Sequence, residues 1–145
     1  FVKNLDNIAA LIKREQPDIA ALQEADGPSF WSGSFDHIEY LKEKTGYTYS
    51  YRGEHMKTGN LSYGTALISR IPLTDPVSKK FSSPVPAPTK GFVLASIIRP
   101  VTSDKTIDIV SLHLDFSNPL NRKKQVEELI TFLRKRKSPV IIRAC

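Results

Sequence analysis

The run Ile19-Ala20-Ala21-Leu22-Gln23 constrains this chain more than any other segment. It is too short to form a stable helix and carries no polar alternation, so it reads as a strand buried on both faces. Strands of that kind occur in sheets covered by helices, which points to an α/β protein. The upstream segment agrees. From Val2 to Gln16, Leu5, Ile8, Ala9 and Ile12 recur at helical spacing, and Pro17 ends the pattern.

The remaining chain continues in the same style. Gly27 to Ser34 is a loop that carries Phe30 and Trp31, either a loop anchor or a stacking pair. Ser34 is placed to cap a second helix, Phe35 to Lys44, with Ile38 and Leu41 inward and Gly46 at its end. Tyr47 to Tyr51 alternates aromatic and small polar residues, as a half-buried strand does. A polar loop, Arg52 to Asn60, and a strand, Tyr63 to Arg70, are expected next. Ile71 to Lys90 holds Pro72, Pro76, Pro84, Pro86 and Pro88, half of the chain's 10 prolines, and is expected as an extended surface excursion. Gly91 to Arg99 and Thr106 to His113 are strands around a turn at Ser103-Asp104. A helix from Asn121 to Lys137, with Val126, Leu129, Ile130 and Leu133 inward, precedes a last buried strand, Pro139 to Ile142.

Composition narrows the function classes. At 145 residues, 40% hydrophobic and 25% charged, the chain has the size of one globular domain. No run approaches the roughly 18 apolar residues of a membrane span, and no signal-peptide pattern is visible. The formal charge of +6 favours polyanionic partners such as nucleic acid, phosphorylated substrates or anionic lipid surfaces, or else marks a solvated positive surface. The run Arg134-Lys135-Arg136-Lys137 is better explained as positive charge complementing a helix dipole. The single cysteine, Cys145, excludes an internal disulfide and a multi-cysteine zinc site. A start at Phe1, already in a helix, and an end just past a core-like strand predict a fragment truncated at both ends.

In open α/β sheets, ligands sit beyond the carboxyl ends of strands. Glu24 follows the first strand directly, where a carboxylate can hold a hard cation such as Mg²⁺ or leave the strand into solvent. His113 ends another strand, sharing a face with Ile109 and Ser111 while Val110 and Leu112 share the other. There it can donate to a phosphate oxygen, shuttle a proton, or serve a structural bond. Asp115, two residues on, either orients the imidazole or begins the turn at Ser117-Asn118-Pro119. Arg122 and Gln125 share a helix face, so Arg122 is able to point back toward the His113 loop. His37 and His55 show no ligand spacing and are expected at the surface.

These segments, in order, resemble the endonuclease/exonuclease/phosphatase superfamily with its deoxyribonuclease-I-like fold. Gln16-Pro17-Asp18-Ile19-Ala20-Ala21-Leu22-Gln23-Glu24-Ala25-Asp26 is similar to its P-D-[IV]-x-x-L-Q-E-x-D motif. Tyr63-Gly64-Thr65-Ala66-Leu67-Ile68-Ser69-Arg70-Ile71-Pro72-Leu73 resembles Y-G-N-A-[LI]-L-S-R-x-P-[IL]. Ser111-Leu112-His113-Leu114-Asp115, with Arg122 and Gln125, resembles T-H-L-D … R-x-x-Q. The resemblance implies part of a two-sheet β-sandwich flanked by helices, in four layers α/β/β/α, with the C-terminal portion missing. Residues 1–145 would form a single partial domain.

It also implies hydrolysis of a phosphodiester or phosphomonoester dependent on Mg²⁺ or Mn²⁺. Glu24 would hold the metal, His113 would bind the scissile phosphate, Asp115 would support its neighbourhood, and Arg122 would contact substrate. The family's G-D-F-N and S-D-H motifs are absent, its opening strand is absent, and Thr65 replaces the usual Asn. Little or no activity is therefore expected of this chain alone, together with exposed apolar edges. The alternative is a non-catalytic relative that binds nucleic acid or a protein partner through its basic surface.

Overall fold

The computed structural model describes residues 2–28, 33–59, 61–82, 89–98 and 105–144. Phe30, Trp31, Pro84, Pro86, Pro88, the Ser103-Asp104 turn and Cys145 lie outside those residues. Helix α1 (Val2–Glu15) buries Leu5, Ala9 and Ile12 but leaves Ile8 37% exposed, so its inward stripe is narrower than the periodicity suggested. Gln16 closes it with a positive φ of 47°, and Pro17 prevents its continuation. Strand β1 (Ile19–Leu22) follows, then helix α2 (His37–Thr45). The cap of α2 is Asp36 and not Ser34, its carboxylate accepting from the N–H groups of Ile38 and Glu39 at 2.8 and 3.1 Å. Gly46, at φ 76°, ends the helix as expected.

Strands β2 (Tyr49–Thr58) and β3 (Leu61–Ser69) form an antiparallel pair, and β1 pairs antiparallel with β3, giving the sheet order β1-β3-β2. The expected polar loop Arg52–Asn60 is therefore largely strand. Its polar side chains pair locally with the facing strand: Arg52 donates to the Ser62 hydroxyl, which donates to Glu54, both at 2.6 Å. The second sheet runs β4 (Thr74–Lys80), β5 (Gly91–Ile98), β6 (Thr106–His113) and β7 (Val140–Ala144), in that order. Strand β4 lies within the expected excursion. It is an edge strand, with exposed Lys79 and Lys80 and with Pro76 at a register shift, which a paired central strand would not tolerate.

Strands β6 and β7 are parallel, which requires a crossover, supplied by helix α3 (Pro119–Leu133). Asn118 caps α3 and Pro119 opens it. The helix stops at Leu133, short of the basic run. Arg136 is thus not a dipole complement: its guanidinium bonds the fully buried Asp108 carboxylate at 2.6 and 3.0 Å, which ties the return segment to β6. Ile130 is 43% exposed and not inward. Among the described residues strand β7 is a sheet edge, and Ile141 and Ile142 are exposed and not buried. Among the described residues no helix is long and apolar enough to cross a membrane.

The layers follow from strand alternation. Ala66 and Ile68 of β3, with Ala20 and Leu22 of β1, meet α1 and α2. Leu67 of β3 instead faces Val93, Ala95 and Ile109 of the other sheet. Phe92, Leu94, Val110 and Leu112 turn outward against Leu129 and Phe132 of α3. The order is α/β/β/α, and each fully buried Leu or Phe in it contributes roughly 1.5–3 kcal/mol.

The sheets approach closely at Gly53, where a Cβ would overlap the Ser78 side chain and a Val93 methyl. Nearby, His55 is 1% exposed, contrary to expectation. It falls at the irregularity in the β2–β3 ladder, and its Nε2 lies 2.8 Å from the Thr65 hydroxyl. His37 is buried too, packed against Phe35 with ring centroids 5.1 Å apart. Burial, with the charges of Lys80, His113, Arg52 and Lys90, pushes the His55 imidazole down to about 4.

Two outcomes follow. Gly53→Ala lowers stability by about 1–3 kcal/mol through overpacking, measured by urea denaturation; an unchanged midpoint would contradict the close approach. The unfolded state takes up the His55 proton first, so stability is complete above the ordinary histidine pKa and declines as pH falls toward the folded value. Between pH 7 and pH 5 the loss is about 1–2 kcal/mol, and His55→Gln reduces that slope.

Candidate active site

The segment after β1 is clamped to the neighbouring strands. The Ala25 N–H bonds the Gly64 carbonyl at 2.9 Å, Gly27 bonds Ser62 at 3.1 Å, and Arg52 donates to the Ala25 carbonyl at 2.8 Å. These bonds hold Glu24 at a φ of 52°, a conformation that costs a non-glycine residue on the order of 1 kcal/mol. The turn leaves the Glu24 side chain 72% exposed, with Oε1 4.0 Å from Nε2 of His113. Glu24 comes from one sheet and His113 from the end of β6 in the other.

Two residues that the sequence did not single out complete the surroundings of His113. The Tyr63 hydroxyl, from β3, lies 3.0 Å from Nδ1, and the two rings meet edge-on at 5.7 Å. Lys90 precedes Gly91, which is in register with His113 across β5 and β6. Its Nζ therefore lies 3.2 Å from Nε2 of His113 and also donates to the Tyr63 hydroxyl. The available signal was a lysine at the foot of an apolar strand that pairs with the His113 strand.

Burial lowers the Lys90 ammonium from its ordinary value, although Glu24 and Asp115 pull it upward. Burial also lowers His113, helped by the Lys90 charge and opposed by Glu24. The Tyr63 phenol is raised by burial and by Glu24 and Asp26. Asp26 itself is raised by burial, against His37 and Arg52.

Asp115 takes the turn-forming alternative. Its carboxylate accepts from the Ser117 N–H and hydroxyl at 2.8 Å, the Asn118 N–H at 3.0 Å and the Asn121 amide at 3.2 Å. Those bonds, Asn118 first and then Ser117, hold it down to about 2. Its own N–H donates to the Gln125 side chain at 2.8 Å. Arg122 points back as the helix spacing suggested, donating to the carbonyls of Asp115 at 2.8 Å and Phe116 at 3.2 Å. Glu24, His113, Leu114, Asp115, Phe116 and Arg122 line one cleft of about 530 Å³. Thr65 is fully buried, with its hydroxyl on the His55 ring.

Among the described residues no group of three or more His, Cys, Asp or Glu is placed to hold a metal ion. The exposed Glu24 carboxylate is instead a single hard oxygen donor at the cleft. That donor suits a hard cation such as Mg²⁺, which keeps several waters. Beside it stand an imidazole, a guanidinium and an ammonium, a set fitted to an anion.

Comparison with known proteins agrees with this architecture. The fold is similar to that of an endonuclease/exonuclease/phosphatase from Beutenbergia cavernae, with a TM-score of 0.75 at 19% identity, covering 95% of this chain and 40% of that one. It is also similar to ANGEL2, a 2',3'-cyclic phosphatase, with a TM-score of 0.66 at 16% identity, covering 95% and 41%. TDP2 from D. rerio, complexed with a single-strand DNA product, matches with a TM-score of 0.65 at 14% identity, covering 97% and 51%. The chain thus spans about half or less of the length of these structures. No curated protein matches it. A sequence model of the Endonuclease/Exonuclease/phosphatase family matches residues 2–142. The chain therefore belongs to the Endonuclease/Exonuclease/phosphatase family, a group of hydrolases that act on phosphoester bonds.

Proposed function

We propose that this chain is part of a divalent-metal-dependent phosphoesterase, with the Glu24–His113 cleft as its reaction site. The observation that carries this reading is the 4.0 Å approach of Glu24 and His113, which arrive from different sheets into one cleft. Glu24 is the metal ligand. Mg²⁺ or Mn²⁺ bound there supplies Lewis-acid polarisation of a phosphoryl oxygen. His113 stands 4.0 Å from that carboxylate, at the end of the cleft where the phosphate would sit. Arg122 stands at the rim, where its guanidinium faces the same anion. Asp115 acts indirectly, by fixing the loop that carries Phe116.

The preferred substrate class is nucleic acid. The net charge of +6 supports it, as does the single-strand DNA product in TDP2. The described residues bring one carboxylate to the metal, so turnover by these 145 residues alone is expected to be low.

A second reading, a non-catalytic binding protein, is favoured by a different groove. Lys79, Lys80, Lys124 and Lys135, together with Glu127 and Glu128, line a space of about 560 Å³ between β4 and α3. Oligonucleotide binding that weakens steeply with salt, without metal-dependent cleavage, is its signature.

The test uses Mn²⁺ as a paramagnetic ion on the chain itself. Broadening should centre on Glu24 and His113 and should vanish in Glu24→Gln, with stability kept within about 0.5 kcal/mol. In an enzyme that contains this segment, Glu24→Gln should lower metal-dependent hydrolysis of a nitrophenyl phosphodiester at least about 100-fold. Full activity in that variant would remove Glu24 from the metal site.

A further inference from the structure

We propose that Lys90 is the principal anion-binding cation of the cleft, and that His113 acts as the acceptor that positions its ammonium. The proposal rests on the reading of this cleft as a phosphate site and assigns its charge to a different residue.

Hydrogen-bond accounting leads there. An ammonium has three donors and no acceptor. The Lys90 Nζ lies 3.2 Å from Nε2 of His113, so a bond between them requires a lone pair on Nε2. A neutral imidazole has one N–H, which must then be on Nδ1. Nδ1 lies 3.0 Å from the Tyr63 oxygen, which can accept from it and from Lys90 together. The opposite tautomer sets an N–H against the ammonium, and an imidazolium offers no lone pair at all. That arrangement pairs both ring nitrogens with the ammonium and the phenol oxygen, and in it Nε2 has no proton to give a phosphate.

Lys90 then supplies the buried positive charge of the site, with Arg122 at the rim. Two of its three donors go to His113 and Tyr63, which leaves the third for a ligand oxygen. The side chain is 7% exposed, so its charge is weakly screened. Its Nζ lies 4.8 Å from the Tyr63 ring centre and 5.9 Å from that of Phe116, which lines the cleft. These rings favour a cation and give the ammonium an apolar seat.

The experiment is nitrogen-detected NMR of the histidine rings and the Lys90 Nζ near neutral pH, with inorganic phosphate added to the chain. The expected result is a His113 protonated at Nδ1, a Lys90 Nζ resonance that moves with phosphate, and a phosphate affinity about tenfold weaker in Lys90→Met. Lys90→Arg should recover most of that affinity. The wild-type spectra decide the matter even if the methionine variant does not fold. Protonation of His113 at Nε2, or phosphate binding unchanged in a folded Lys90→Met, overturns the assignment to Lys90 and leaves the phosphate site standing. Phosphate that moves no resonance of the cleft overturns the assignment and the phosphate reading together.

Discussion

The face-to-face packing of the two sheets is the constraint on which the rest of the molecule depends. Leu67 stands against Val93, Ala95 and Ile109 in the space between them. At the site end a short polar clamp continues that contact. The Ser111 hydroxyl donates to the Leu22 carbonyl at 3.0 Å, and the Gln23 amide lies 3.4 Å from the same hydroxyl. Because strand side chains alternate, a slip of one residue in either sheet would turn this apolar set to the wrong face. It would also carry Glu24 and His113 apart, since each is only a residue or two from the clamp.

Charge in the cleft is distributed by burial. The carboxylate of Glu24 is exposed, while the imidazole, the phenol and the ammonium behind it are mostly withdrawn from water. A buried cation needs acceptors and polarisable neighbours, and Lys90 has a lone pair, a phenol oxygen and two rings. Asp115 uses its carboxylate on the loop that follows β6, so the wall of the cleft is stiffened from within. Arg136 does similar work at a distance, closing the return from α3 onto the buried Asp108 and so setting β7 beside β6.

Much of this was legible in the order of residues. Pro17, Gly46 and the spacing of Leu5, Ala9 and Ile12 act locally, so the limits of the first two helices were near their observed places. Glu24 and His113 stood at strand ends, and Arg122 turned back as its helical spacing required. The errors fall where tertiary pairing overrides local polarity. Arg52 to Thr58 is polar yet becomes a strand, because Ser62 on the facing strand bonds Arg52 and Glu54, and Thr65 bonds Nε2 of His55. Ile141 and Ile142 are apolar yet exposed, because nothing among the described residues covers that edge.

The sequence by itself determined the α/β class, the alternation of Ile109, Ser111 and His113 against Val110 and Leu112, and three ordered motifs of one family. Those features depend on neighbours a few residues away. Only the tertiary structure decided that Lys90 and Tyr63 enclose His113, for they lie 23 and 50 positions from it in the chain. Strand register and sheet apposition fix such meetings, and neither is encoded in the periodicity of a single segment.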